Sequence, residues 1–424
     1  LAVYALLGPR QTIQALALAW LFVMLNSGLA PEAANATVGR YFVLIAAVVS
    51  VAWHAGFIRL DKLSFFSLVL GAFFFFHSFV FSPLPDVSIL KAVNWSAAIV
   101  TLLVAWAGLD VEARNRLENW LFGFLVVIAV ASLPLFLFPS IGYLRNGTGF
   151  QGILSHPQAF GPTIALLGSL SFGRLLSQSR PSWWLVTLSF GCLLLVLSSE
   201  ARTAGVALFI SLLVSVTWIS VFSGRRIRDV APALRSKRLA AVGLLVLMAV
   251  TVLGPRMSDV VNDYITKSGR AQVGGLIEAY DLSRGRLIDE MTDNIEQNVL
   301  TGIGFGIASE LSSMFVSRDP IFGLPVGASI EKGVMPIAVM EEVGVPGFIL
   351  VAIWIWVLLR RAAQNGMAPL MLALTALLIN MGESILFSPG GMGMLLLILL
   401  AFSASKPRST YRPTVERVQD AING

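Results

Sequence analysis

The sequence predicts an all-α, polytopic integral membrane protein of about twelve transmembrane helices, with a large, partly helical loop on its outer side. Three observations predict it. Of 424 residues, 56% are hydrophobic and only 13% charged, whereas about a quarter of the residues of a soluble domain are charged. The apolar runs are long and unalternated, as in Leu239–Leu253 and Phe348–Leu359. Membrane barrels instead show short alternating segments, and a backbone in lipid that is not a closed barrel must be helical. Finally, one long stretch, Gly254 to Lys332, is too polar to sit in lipid.

A crossing helix takes about 20 mostly apolar residues. That rule places spans at roughly 11–30, 40–56, 63–83, 91–109, 119–138, 158–175, 183–199, 203–222, 239–254, 335–359, 368–387 and 389–404. The shorter ones point to tilted, broken or re-entrant segments. The chain then divides into a transmembrane bundle over 1–253, a loop over 254–334, further transmembrane helices over 335–404 and a basic tail over 405–424. The tail suits anionic headgroups.

Orientation follows from basic residues in short loops, which favour the cytoplasm. The densest set is Arg225, Arg226, Arg228, Arg235, Lys237 and Arg238. Alternation brings Arg59 with Lys62, Arg114 with Arg116, Arg174 with Arg180, Arg360 with Arg361, and the tail with Lys406 and Arg408 to the same side. Both termini are then cytoplasmic and the loop 254–332 is outside. Arg40 and Lys91 are lone exceptions at the outer ends of their spans. The net charge of +6 is no nucleic-acid signal, because the cations cluster at the ends of apolar runs. Cys192 is the single cysteine, so no intrachain disulfide forms. No cleavable signal peptide is evident, and a start at Leu1 leads us to expect a few residues before it.

Against the usual bias, Arg145, Arg202, Arg270, Arg284, Arg286 and Lys332 fall outside, together with His156. Either these cations converge on one polyanion or they are unconnected loop charges. Four stretches carry them. The first, Asn146 to Gln158, is glycine-rich and ends in His156-Pro157, where proline suits the first helical turn. His156 is read as a general base, a phosphate donor or a cap. In the second, Ser199-Glu200-Ala201-Arg202-Thr203 joins two apolar runs with almost no loop. Its arginine presents a planar fork to a phosphate, or pairs locally with Glu200.

The third stretch runs from Asp281-Leu282-Ser283-Arg284-Gly285-Arg286 into an amphipathic helix with Leu287, Met291 and Ile295 on one face. It closes on Thr301-Gly302-Ile303-Gly304-Phe305-Gly306, whose glycines permit a tight path. Arg284 and Arg286 stand at that helix start, where free N–H groups favour an anion, or they pair with the loop's own acids. The glycines are neither a dinucleotide fingerprint nor a Walker loop, since no strand precedes them and no Gly-Lys-Ser/Thr follows. The fourth, Met340-Glu341-Glu342-Val343-Gly344-Val345-Pro346-Gly347, places two acids in a span, either as ion-pair partners or as proton acceptors. Glu383 is a further acid in an apolar region. Asp259 and Asp263 share a possible helix face but read as solvated acids. The three histidines are dispersed, so neither metal nor cofactor is expected.

In this order the stretches resemble the O-antigen ligase and polymerase superfamily of bacterial envelope glycan assembly, over roughly 140–350. Gly152–Ala159 is similar to its Gly…(His/Asn)-Pro-Asn segment, with Gln158 where Asn is usual. Glu200–Thr203 resembles its Ser-Arg-Thr. Ser283–Arg286 with Gly302–Gly306 resembles its Gly-Arg…Gly-x-Gly-x-Gly, and Glu342-Val343-Gly344 with Gly347 its Glu-x-Gly-x-x-Gly. The resemblance implies an inner-membrane, metal-independent inverting glycosyltransferase with its active site facing the periplasm. It would use an undecaprenyl-diphosphate-linked glycan as donor and a glycan or lipid A core as acceptor. Arg145, Arg202, Arg284, Arg286 and Lys332 would then hold the diphosphate. Ligases of that family carry a His-Asn pair before the Glu-x-Gly, but here Lys332-Gly333-Val334-Met335-Pro336 stands there. His156, Glu341 or Glu342 would replace that base, or the chain is a polymerase, towards which the reading leans. A transporter or flippase of an anionic lipid-linked glycan, and an assembly scaffold, are the other classes.

Overall fold

A computed structural model of the chain describes residues 1–30, 37–55, 60–145, 147–224, 226–245, 247–248, 251, 285–318, 323, 325–329 and 332–406. Its main helices are α1 (Pro9–Met24), α2 (Thr37–Ala55), α3 (Lys62–Phe81), α4 (Pro85–Gly108), α5 (Val111–Ser132), α6 (Pro157–Leu176), α7 (Trp183–Ser198), α8 (Arg202–Ser223), α9 (Arg286–Gln297), α10 (Met335–Asn365), α11 (Met367–Ile379) and α12 (Met392–Ala404). The described strands are β1 (Phe315–Arg318) and β2 (Pro325–Ser329), an antiparallel pair within the large loop. The protein is a helical membrane protein. Six of its helical segments are long and apolar enough to cross a bilayer: Lys62–Phe81, Pro85–Gly108, Val111–Leu137, Pro157–Leu176, Arg202–Phe222 and Met335–Asn365. Four shorter apolar helices, Gly39–His54, Trp183–Ser198, Met367–Ile379 and Met392–Ala404, pack among them.

The helices begin where the chain supplies a cap. Asp61 accepts from Ser64 N and Asp110 from Ala113 N, each satisfying an orphan first-turn donor. α1, α4, α6 and α10 instead start with a proline in the first turn, where its missing N–H costs nothing.

Cross-helix bonds sort the helix ends into two sets. At the basic end, Arg361 of α10 pairs with Asp61 before α3. Arg174 of α6 reaches Glu118 of α5 at 2.7 Å, and Arg114 of α5 donates to Phe402 O of α12 at 2.7 Å. At the other, loop-rich end, Arg40 near the start of α2 donates to Gly390 O before α12 at 2.7 Å. Asn26 after α1 donates to Ile141 O, 2.9 Å away, beyond α5. Phe150 N before α6 donates to Ser198 O at the end of α7 at 2.9 Å, and Met335 N of α10 to Asn380 O beyond α11 at 3.0 Å. Consecutive helices from α1 to α8, and from α10 to α12, therefore run in alternating directions.

α6 is the central post, buried along nearly its whole length. Small residues let its neighbours approach: Gly161 faces Ser199 and Ala201, Gly168 faces Leu208 of α8, and Gly173 faces Ala368 of α11. Hydroxyls link three helices, Ser169 Oγ to Thr375 Oγ1 at 2.6 Å and Thr375 Oγ1 to Ser211 Oγ at 2.6 Å.

Candidate functional site

The third and fourth stretches meet at a break in α10. Gly344 takes φ 65° and ψ −179°, and Pro346 follows it. An unbroken helix would send Val345 N to Glu341 O, and Pro346 has no N–H for Glu342 O. Here Val345 N donates to Val299 O at 2.9 Å instead. The two freed carbonyls accept from the glycine segment, Glu341 O from Ile303 N at 2.8 Å and Glu342 O from Gly304 N at 3.0 Å. Gly302 and Gly304 have φ of 63° and 114°, backbone that suits glycine. Phe305 then enters the core and stacks on Phe74 with centroids 4.2 Å apart. His77 Nε2 of α3 donates to Thr301 O at 2.5 Å.

The acidic side chains at this break point inward. Lys332 Nζ lies 2.6 Å from Glu341 Oε2 and 3.3 Å from Glu342 Oε1, with side-chain exposures of 2%, 0% and 8% respectively. Asn294 of α9 donates to Glu341 Oε1 at 2.7 Å, and Gly306 N to Glu342 Oε2 at 2.7 Å. Lys91 of α4 completes the group, its Nζ 5.2 Å from the Phe305 ring centre and its stem against Gly306. Two cations thus balance two carboxylates under the glycine segment. Such a group is stable only while each charge keeps its partners.

The first and second stretches form a second junction. Gly149 lies against Ser199 O, and Thr148 Oγ1 donates to Glu200 Oε2 at 3.2 Å. Among the described residues Glu200 is the non-glycine with positive φ, 54°, so the turn between α7 and α8 holds backbone strain of the kind that clusters at functional sites. Arg202 is the first residue of α8. Gln151 Oε1 accepts Arg145 N at 2.9 Å, bringing the Arg145 loop to the same place. Burial, then the carboxylate of Glu200, push the Tyr143 phenol above its ordinary value.

The segment 380–391 joins the two junctions. Ser384 N donates to Lys332 O at 3.0 Å, and Gly382 backs onto the Thr203 side chain. Beyond it opens a cavity of about 540 Å³, bounded by α2, α4, the β1–β2 hairpin and Ser384–Gly391. Among the described residues, its charged lining consists of Arg40 and Lys91.

The expected site residues are therefore distributed unevenly. Glu341, Glu342 and Lys332 come together, but sealed and satisfied by one another, which is the structural ion-pair alternative. His156 caps α6: its Nδ1 accepts Gln158 N at 3.0 Å, so the nitrogen a base would use already holds a helix donor. Arg145 and Arg202 share the second junction. Arg286 does not join them; it is 85% exposed and lies 3.5 Å from Glu290, one turn along α9. Arg284, Arg270, Asp259 and Asp263 lie outside the described residues. Arg40 and Lys91, exceptions to the charge rule, are the cations that sequence reasoning passed over; their outer position was the available signal.

No protein-family model matches this chain, and no curated protein matches it.

Proposed function

We propose that the chain is a glycosyltransferase of the bacterial inner membrane. It would move a glycan from an undecaprenyl-diphosphate carrier onto an acceptor hydroxyl on the periplasmic side, leaning to polymerisation over ligation to lipid A core. One observation carries this reading. The described parts of four stretches scattered over about 200 residues of sequence, and similar in order to that superfamily's motifs, meet at one end of the bundle in two junctions bridged by 380–391, the third stretch through Gly302–Gly306. A scaffold has no need to bring these stretches together beside a cavity of this size. In this reading all twelve apolar segments cross the bilayer and the loop-rich end faces the periplasm.

The chemistry asks for two things. The acceptor oxygen attacks the anomeric carbon as the bond from that carbon to the phosphate oxygen breaks, and the bonding pair leaves with the lipid diphosphate. Fixed cations stabilise that departing charge, and Arg202 and Arg145 are the expected residues at the second junction. The acceptor's proton needs a base. Glu341 and Glu342 are buried in ion pairs and His156 Nδ1 is a helix cap. Among the described residues of the second junction, Glu200, half-buried on its strained turn, is the carboxylate placed to receive it.

The test is transfer from a purified lipid-diphosphate oligosaccharide in detergent, without metal or nucleotide, comparing wild type with Arg202→Ala, Arg284→Ala and Glu200→Gln. Longer lipid-linked chains, lost in Arg202→Ala and Glu200→Gln at unchanged melting temperature, support the proposal; transfer only when lipid A core is added makes the chain a ligase. Binding of the donor with no transfer to either acceptor overturns it in favour of transport.

A further inference from the structure

α4 turns one face to the cavity at the loop-rich end. Val87, Leu90, Lys91 and Asn94 line it, and steps of three and four keep them in one row. The segment after α11 adds Ser384, Ile385 and Ser388. The β1–β2 hairpin bounds another side, tied to the start of α4 by Arg318 Nη1 and Asp86 Oδ2, 2.6 Å apart. The cations of this lining are spent on the protein itself. Arg40 Nη1 donates to Gly390 O at 2.7 Å, and its guanidinium lies over the Tyr41 ring. Lys91 stands in the field of the Glu342 carboxylate. A charged ligand would find no counter-charge left over.

The neutral groups are not spent. The Asn94 amide and the Ser384 and Ser388 hydroxyls bond none of the described residues, and all three residues are half-buried in the cavity wall. Between them the wall is apolar, with Leu44, Val87, Leu90 and Met394. A hydrocarbon chain in this space would strand three hydrogen-bonding groups, at about 1–3 kcal/mol for each one left buried. A peptide added as a strand takes its bonds from main-chain edges, whereas the unspent groups here are side chains of α4 and 384–388. A saccharide ring meets both halves of the wall. Its hydroxyls donate and accept, as an amide and two hydroxyls require, and its C–H faces lie on the apolar part. The volume of about 540 Å³ lies in the range of small-molecule sites, roughly 300–1,000 Å³.

We propose that this cavity binds the uncharged end of a saccharide, held by Asn94, Ser384 and Ser388. Neutral donors and acceptors set against an apolar wall select a sugar over an ion or a lipid chain. As the seat of the acceptor's sugar this rests on the proposed function; as a saccharide site it does not, so the test reads binding rather than transfer.

The full chain is purified in a detergent without a sugar headgroup, since a glycoside detergent would compete. It is titrated with the methyl glycosides of glucose, galactose, mannose, rhamnose and N-acetylglucosamine, with methyl glucuronide, and with tetraglycine. Saturable binding of at least one neutral glycoside is expected. Asn94→Ala and Ser388→Ala should each weaken it about tenfold, the worth of one neutral hydrogen bond. Neither side chain bonds a described residue, so both melting temperatures should hold; if Asn94→Ala melts early, Ser388→Ala decides. Binding of no neutral glycoside overturns the proposal, and so does an affinity that neither variant changes. Glucuronide binding tenfold more tightly than glucoside means that charge leads, which also overturns it. Tetraglycine binding in place of the sugars makes the cavity a peptide site and overturns it as well. Sugar binding that both variants weaken, with no glycan transfer by the wild type, counts against the proposed function alone.

Discussion

Replacing Lys332 by methionine separates a structural cation from a ligand-binding one. The ammonium is 2% exposed and lies 2.6 and 3.3 Å from two carboxylates that are themselves 0% and 8% exposed. Lys332→Met leaves Glu341 with Asn294 as its remaining side-chain partner. Glu342 keeps the Gly306 N–H and the neighbouring Lys91. Removing one partner of a buried pair costs about 3–5 kcal/mol, since an uncompensated charge stays behind. At about 2 °C per kcal/mol for a large chain, the melting temperature should fall by roughly 6–10 °C. The assay is a fluorescence-detected melt of purified protein in one detergent, without substrate. Adding Glu341→Gln restores the balance of Lys91 against Glu342 and should recover at least half of the loss. A Lys332→Met protein that melts like wild type but no longer binds a lipid diphosphate would refute this and return Lys332 to the ligand.

Other outcomes follow from the same geometry. Gly344→Ala must hold a positive-φ, extended-ψ backbone that is essentially confined to glycine, at about 1–3 kcal/mol, and its methyl meets Leu300 O; a lower melting temperature and faster proteolysis within 298–306 are expected. Arg286→Ala removes an exposed pair and should change stability by no more than about 0.5 kcal/mol, so a loss of transfer in that variant would be functional. Burial raises the Asp61 carboxyl, but Ser64 and Arg361 outweigh it and hold the group below its ordinary value. Its stabilising contribution is therefore constant at neutral pH and fades as pH falls below about 4, a dependence that Asp61→Asn should lack in melts run across that range.

The helices were legible because apolar runs of that length have few other fates. The glycine segment was legible as a tight path, but not as the partner of a broken helix. That pairing needs Gly344 and Pro346 to free two carbonyls, and carbonyls carry no sequence signal. Lys332 read as one of the outer cations that would hold a diphosphate, because it ends the most polar run of the chain; only folding puts it against Glu341 and Glu342. Arg286 showed the reverse. Its place at a helix start suggested an anion site, yet Glu290 one turn later was the nearer charge. His156 was readable both ways, and Pro157 beside it was the better clue. Arg40 and Lys91, on different helices, become neighbours only once α2 and α4 pack together.

The break at Gly344 also decides what evolution or an engineer can exchange between chains of this kind. The glycine segment borrows its register from the main chain of α10, so a donor loop grafted between 298 and 334 arrives without its template. The exchangeable unit is the pair, glycine segment and interrupted helix together, because the hydrogen bonds that set the register run from one main chain to the other.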